Sequence, residues 1–211
     1  MAFDFKKEYK EFYLPPAQPV IVDIPAANYV AVRGKGNPND ENGEYKASVE
    51  ILYGVAYTIK MSKTGGRRIE GYFDFVVPPL EGLWWTEDGD VNRSRKEDFQ
   101  FISMIRLPDF VTREDFDWAV EEAARKKKQD FSKAEFFHYE EERCIQCMHV
   151  GSYDMEPATI GAMKVKAKEE GYVFAVDETR KHHEIYLSDP RKTSADKLKT
   201  VIRYPVRPER G

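Results

Sequence analysis

Hydrophobic and polar positions repeat along this chain with two different periods, which predict helices in some segments and strands in others. Apolar side chains recur every three or four positions, the spacing of a helix, over residues 44–61 and 112–128. Pro157 at a first turn and Gly171 at the end predict a further helix over residues 157–170. Apolar and polar side chains alternate, the spacing of a strand, over residues 68–77, 98–107 and 182–187, and the composition is β-like over residues 20–23, 29–33, 143–150, 173–176 and 198–204. Residues 1–19 are aromatic and interrupted by prolines, which predicts an N-terminal arm packed on the body.

The order of these predicted elements repeats on either side of a connecting helix at about 112–128. Helices that begin near Glu44 and Glu156, and strands at Tyr72 and His183, are offset by nearly the same number of residues. We therefore predict an α+β domain over residues 20–208, built from tandem strand-helix-strand-strand (SHS2) repeats at about 20–108 and 135–206. A pseudo-twofold axis, antiparallel sheets and a ligand cleft between the halves follow from this arrangement.

The stretch His182–Pro190, with the sequence HHEIYLSDP, combines reactive side chains with strand alternation. Alternation places His183 and Ile185 on one face and Glu184 and Tyr186 on the other. The latter two would stand roughly 7 Å apart along the strand. An acid beside a phenol binds a cation or moves a proton. A solvated sheet face explains the same letters without any function.

Other motifs carry less chemistry. Cys144 and Cys147 form a CxxC pair, but the chain has only two cysteines and no second pair to complete a zinc site. His182 and His183 would point to opposite faces of a strand, which weakens a metal interpretation. The GxG at Gly34 lacks the continuation of a phosphate-binding loop, and no nucleophile elbow is present. We predict no metal and no cofactor.

Composition narrows the set of partners. A formal net charge of −4 argues against nucleic acid, since phosphate binding needs a concentrated basic surface. No apolar run reaches the ~20 residues that cross a bilayer, so we expect no membrane partner and a cytoplasmic location. Aromatic residues make up 13% of the chain, a share typical of pockets for flat or cationic small molecules. The oligomeric state is left open.

Five stretches together resemble the GyrI-like (gyrase-inhibitor-like) small-molecule-binding family. They are NYVAVRGKGNPND, EYKASVEILYGVAYTIK, PPLEGLWW, CIQCMHVGSYDMEP and HHEIYLSDP, and the resemblance spans roughly residues 18–206. It implies the tandem fold predicted above and a central aromatic pocket with an acidic residue at Glu184. Carried over by position, Glu184 and Tyr186 are the implied catalytic residues. The implied ligand-binding residues are Trp84, Trp85, Tyr153 and His149. We add Tyr53 and Tyr57, which lie four apart on the helix predicted over residues 44–61.

Stand-alone members of this family with PLEGLWW and EIYLSDPR are associated with hydrolysis of cyclopropane-containing, DNA-alkylating natural products. The resemblance thus implies a cyclopropanoid hydrolase, in which Glu184 activates water and the opened product no longer alkylates DNA. One alternative is a pocket that binds or sequesters planar or cationic drugs without chemistry, with Glu184 as counter-ion. Another is a protein that binds gyrase directly.

Overall fold

An antiparallel sheet with its three longer helices on one face forms the body of the chain in a computed structural model, which describes residues 2–87, Gly89, Val91 and 95–209. The strands are β1 (Val20–Ile24), β2 (Ala27–Lys35), β3 (Leu80–Trp85), β4 (Gln100–Arg106), β5 (Glu135–Tyr139), β6 (Glu142–Val150), β7 (Tyr172–Phe174), β8 (His182–Tyr186) and β9 (Lys199–Pro208). The α-helices are α1 (Phe5–Glu8), α2 (Lys10–Tyr13), α3 (Glu44–Lys60), α4 (Arg113–Lys127) and α5 (Glu156–Glu169). The α+β prediction is therefore confirmed.

The strand order is β1-β6-β9-β8-β3-β4-β2-β5, and β7 pairs with β9. When β1, β2, β3 and β4 are matched with β5, β6, β8 and β9, this order reads the same from either edge. Helices α3 and α5 occupy matching places in the two halves of the chain. A pseudo-twofold axis between β3 and β8 predicts this order, and the axis itself stays a prediction.

The sheet curves strongly, because each edge strand continues almost directly into the second strand from the opposite edge. Only two residues separate β1 from β2, and two separate β5 from β6. In a flat sheet β1 and β2 would lie six strand spacings apart, about 29 Å. The three peptide steps from the end of β1 to the start of β2 reach roughly 11 Å at most, so the sheet must curve to bring these strands together. The halves therefore exchange their edge strands, with β1 pairing to β6 and β5 to β2.

One row of residues across the sheet shows where the helices lie. In register, Ser103 of β4, Gly82 of β3, Glu184 of β8 and Ile202 of β9 stand side by side. The Ser48 hydroxyl of α3 donates to Ser103 at 3.2 Å. Apolar residues of α5 pack with Ile202 at the other end of the row. We call this side the helix face, and Glu184 lies on it between the two helices.

The N-terminal arm packs on the opposite face of the sheet. Phe5, Phe12 and Tyr13 are buried there. The Gln146 side chain donates to the Glu11 carbonyl at 2.6 Å, and the Arg203 guanidinium donates to the Phe12 carbonyl. The arm is thus joined to β6 and β9 by side-chain hydrogen bonds as well as apolar contacts.

The helix predicted to connect the halves is present as α4. Thr112 and Asp115 form a reciprocal capping box, which satisfies backbone donors at its first turn. Phe116, Ala119 and Ala123 are its buried stripe, as helical spacing predicts. No helix of the described residues is long and apolar enough to span a membrane.

The strand predicted over residues 68–77 is wrong. This segment is irregular, and its one ladder contact is an isolated bridge between Phe75 and Phe3 of the arm. Phe75 is buried whereas Phe73 is 40% exposed, so their alternation reflects one-sided packing without a paired strand. The third strand begins at Leu80, after the two prolines, and β5 was not predicted.

Candidate active site

Glu184 is the centre of the site, on β8 at the middle of the sheet. Its side chain is buried and lies between two residues of the same strand face, as alternation predicts. His182 Nε2 lies 2.6 Å from Glu184 Oε1. The Tyr186 hydroxyl donates to Glu184 Oε2 at 3.0 Å. Both carboxylate oxygens are thus fixed in direction.

Gly82 and Trp84 of β3 form the floor beside this carboxylate. The Trp84 indole Nε1 donates to the Tyr186 hydroxyl at 2.8 Å. A Cβ atom on Gly82 would lie 2.6 Å from Trp84 Nε1 and 3.3 Å from the Tyr186 hydroxyl. Glycine therefore lets the indole and the phenol meet across the strand next to Glu184.

Two half-buried tyrosines surround the acid on the helix face. The Tyr45 ring of α3 packs 5.2 Å from the Trp84 ring, and Tyr153, from the 3-10 turn before α5, meets Tyr186 edge-on at 6.0 Å. Burial, with the charge of Glu184, raises the pKa of Tyr153 to about 12 and that of Tyr186 well above its usual range. These phenols therefore stay protonated at neutral pH and act as hydrogen-bond donors.

Glu156 is a site residue that the sequence analysis did not identify. It is the first residue of α5 and is wholly buried. One side-chain atom each of Glu156, His182 and Glu184 lies within 4.8 Å of the others. The available signal was its place in the HVGSYDMEP loop, at the start of a helix that faces the predicted cleft.

The other predicted ligand-binding residues are spread more widely. Tyr53 is half-buried and lies about two helical turns beyond Tyr45 on α3. Tyr57 stacks on Tyr53 at 6.1 Å between ring centres and is 51% exposed. It extends the aromatic strip along α3 away from Glu184.

Trp85 and His149 do not join the site. Trp85 follows Trp84 on the strand and so points to the opposite face, where Lys181 lies over its ring at 5.2 Å. His149 is buried, with Nδ1 2.8 Å from the Thr159 hydroxyl and Nε2 3.1 Å from the Ser152 carbonyl. These two contacts join His149 to α5 and to the residue before Tyr153, so His149 stabilises the turn that carries Tyr153.

A surface cavity of about 490 Å³ lies along residues 68–72 and Lys63. It shares no residue with the surroundings of Glu184, and it lies in the irregular segment before β3. Its lining brings together no set of converging reactive groups. We therefore place the candidate site at Glu184.

A second buried polar cluster occupies the opposite face of β8. His183 Nδ1 lies 2.7 Å from Glu141 and Nε2 lies 3.0 Å from Glu81, so both ring nitrogens face carboxylates. Burial alone would lower the pKa of His183, but the two acids outweigh it and raise the pKa to about 9. Arg203 donates to Glu141 at 2.9 Å, and Tyr13 of the arm donates to Glu81 at 3.2 Å.

The fold and this geometry define a ligand-binding protein of the α+β class, with an enclosed carboxylate and aromatic walls between two helices. The chain belongs to the GyrI-like small-molecule-binding domain family, whose model matches residues 17–207. Comparison with curated proteins finds no match.

Solved structures place the chain among close relatives. A hydrolase from Listeria innocua is 45% identical, with a TM-score of 0.89 over 97% of this chain and 100% of that one. An uncharacterized conserved protein from Listeria innocua is 47% identical, with a TM-score of 0.92 over 97% of this chain and 100% of that one. The EcmrR C-terminal domain is 14% identical, with a TM-score of 0.55 over 90% of this chain and 98% of that one, and so shares the fold alone.

Proposed function

We propose that this protein is a hydrolase that adds water to the cyclopropane ring of planar, DNA-alkylating compounds and so detoxifies them. The observation that carries the proposal is the buried Glu184 carboxylate, hydrogen-bonded on both oxygens and enclosed by aromatic side chains. The 45% identity to a Listeria innocua hydrolase supports the class of reaction.

The walls of the site support the substrate class that the resemblance implies. A spirocyclopropyl dienone is flat and largely apolar, and it can stack on the half-buried rings of Tyr45, Tyr53 and Tyr153, above Trp84. Its carbonyl oxygen needs a hydrogen-bond donor. Tyr153 suits this role because its hydroxyl makes no hydrogen bond to a described residue, whereas the Tyr186 proton is already donated to Glu184.

The proposed reaction consumes one water molecule. Glu184 accepts a proton from water as the water oxygen bonds to the cyclopropane methylene carbon. The ring carbon–carbon bond breaks, and its electron pair moves into the six-membered ring to give a phenolate. The phenolate takes a proton as the product leaves, and Glu184 returns its proton to solvent. The product alcohol has lost the strained ring that alkylates DNA.

The test is to incubate the purified protein with a spirocyclopropyl dienone and follow the product by mass spectrometry. We expect catalytic gain of the mass of one water, lost at least 100-fold in Glu184→Gln, because general-base catalysis contributes about 10²–10⁴-fold. Glu169→Gln is the matched control, since it makes the same change at an exposed acid at the end of α5 and should leave turnover unchanged.

Three outcomes would contradict the proposal in different ways. Full turnover in Glu184→Gln with unchanged binding would remove the base from the mechanism. Intact compound held at a stoichiometric ratio would make this a sequestering protein. Absence of both binding and turnover would redirect attention to a protein partner such as gyrase.

A further inference from the structure

Glu156 and His182 lie against Glu184, yet neither takes part in the ring-opening chemistry proposed above. Glu156 is wholly buried at the first position of α5, and His182 is wholly buried two residues before Glu184 on β8. One side-chain atom of each residue lies within 4.8 Å of the other two. A helix start and a strand thus bring a second acid and an imidazole to the reacting carboxylate.

Charge repulsion couples these three groups. Two carboxylates this close repel each other where water is excluded, and a proton on one acid or on the imidazole relieves that repulsion. The hydrogen-bonded contact of 2.6 Å between His182 Nε2 and Glu184 Oε1 gives the proton a direct route between the two residues.

The titratable side chains that face this set include four tyrosines. They are Tyr45 of α3, Tyr153 of the turn before α5, Tyr186 of β8, and Tyr204 of β9, whose ring packs 4.7 Å from that of His182. Burial, and then the charge of Glu184, raises the pKa of the first three. These three therefore stay neutral near pH 7, and the exchangeable proton belongs to the acids and the imidazole.

We propose that Glu156 and His182 are positioning residues that share a proton with Glu184, fix the direction of its carboxylate, and receive the proton that it takes from water. The inference rests on the proposed function of Glu184 as a base. The proton that leaves water passes from Glu184 to His182 and Glu156, and after the product leaves it returns through Glu184 to solvent. Glu184 is thus left unprotonated for the next turnover.

The first test compares Glu156→Gln with Glu169→Gln, an exposed acid near the far end of the same helix. Glutamine keeps the size of Glu156 and removes its charge. We expect kcat for the dienone to fall about 100-fold, the loss that follows when a reacting group is displaced by about 1 Å. KM should stay within about twofold, and the pH–rate profile should shift. Glu169→Gln should match the wild type in all three.

The second test does not depend on activity. Imidazole ¹⁵N shifts of His182, assigned by comparison with His182→Gln, should move in Glu156→Gln and stay in place in Glu169→Gln. If Glu156→Gln does not fold, Glu156→Asp shortens the reach of the acid, keeps the charge, and provides the same comparison.

These readouts separate the inference from the proposed function. If the His182 ¹⁵N shifts move in Glu156→Gln but the wild type does not hydrolyse the dienone, the shared proton is supported and the hydrolase is rejected. An unchanged pH profile with unchanged His182 shifts overturns the inference and leaves the hydrolase standing. Binding of one equivalent of Zn²⁺ to the wild type, with a change in the His182 ¹⁵N shifts, also overturns the inference, because the three residues would then be a cation site.

Discussion

Gly82 lies directly beneath the hydrogen bond between Trp84 and Tyr186, and it is the residue on which the shape of the floor depends. An added methyl group would sit 2.6 Å from the indole nitrogen, a distance that carbon atoms in proteins do not adopt. The indole is packed on three sides by the rings of Tyr45, Phe99 and Phe101, so it has little room to retreat.

We expect Gly82→Ala to displace the Trp84 ring and so break its bond to Tyr186. Overpacking of this kind costs about 1–3 kcal/mol of the free energy of unfolding. Turnover should also fall, because Tyr186, which donates to Glu184, loses the hydrogen bond from Trp84 that holds its hydroxyl in place. Urea unfolding and turnover of the dienone measure the two effects.

Gly161→Ala is the matched control for that substitution. Gly161 lies in the exposed middle of α5, and an added Cβ there meets no atom within 4 Å. Alanine should raise the free energy of unfolding by up to about 1 kcal/mol, since it forms helix better than glycine. A loss of activity in Gly161→Ala, or none in Gly82→Ala, would contradict the role given to the floor.

The sequence could predict the partners of Glu184 within one strand better than those from other elements. Alternation places Glu184 and Tyr186 together, and their hydroxyl–carboxylate bond confirms that they share a face. Glu156 was missed because its direction depends on how α5 docks, which no local pattern encodes. Trp85 was grouped with Trp84 by resemblance, although neighbouring strand positions must point apart.

Strand β8 carries Glu184 on one face and His183 on the other. The face with His183 makes the stability of the fold depend on pH. Both nitrogens of His183 face carboxylates, so the ring is protonated when those bonds are made. Burial would raise the pKa of Glu141, but His183 and Arg203 outweigh it and hold that pKa at about 2. The folded state therefore keeps charges of both signs at neutral pH.

We expect the free energy of unfolding to fall as pH rises from about 6.5 towards 9. The pKa of His183 is about 9 in the folded chain, above the ordinary value of 6.5 for histidine, so folding favours the protonated ring. That contribution is fully present below pH 6.5 and is lost through pH 9, and it reaches at most about 3 kcal/mol. Urea unfolding at pH 6, 7 and 8 measures the slope.

His138→Gln provides the comparison, because His138 is an exposed histidine on β5. This variant should keep the wild-type slope, whereas His183→Gln should flatten it. A flat wild-type curve over this range would show that the cluster around His183 does not titrate as described.

At the level of elements, the periodic pattern predicted the helices better than the strands. Helices α3 and α4 each carry several turns of periodic signal, α5 is marked by Pro157 and Gly171, and the predicted bounds of all three agree closely with the structure. The segment 68–77 alternates without pairing, because its aromatic residues pack on the arm. Strand β3 was obscured by glycine and two tryptophans, although it pairs with both β4 and β8.

For the molecule as a whole, the N-terminal arm is part of the core. Tyr13 inserts its ring from α2 and donates to Glu81, which links the arm to the cluster around His183. Tyr13→Phe keeps the ring and leaves a buried carboxylate oxygen without this donor. We expect a loss of about 1–3 kcal/mol in the free energy of unfolding and faster proteolysis within residues 3–16.

Tyr9→Phe is the control for the arm. The Tyr9 ring packs under Arg106 at 4.7 Å, and its hydroxyl makes no hydrogen bond to a described residue. This variant should unfold at the wild-type urea concentration and resist protease as the wild type does. Equal stability of Tyr13→Phe and the wild type would show that the bond to Glu81 contributes nothing net.

The exchange of edge strands limits how a ligand can reach Glu184. Each half holds the outermost strand of the other, and the β3–β8 ladder fastens the halves along the middle. A hinge opening of the two halves would therefore have to break three backbone ladders at once, β1–β6, β2–β5 and β3–β8. We therefore expect a ligand to enter through small movements above the sheet, near the start of α3 and the turn that bears Tyr153.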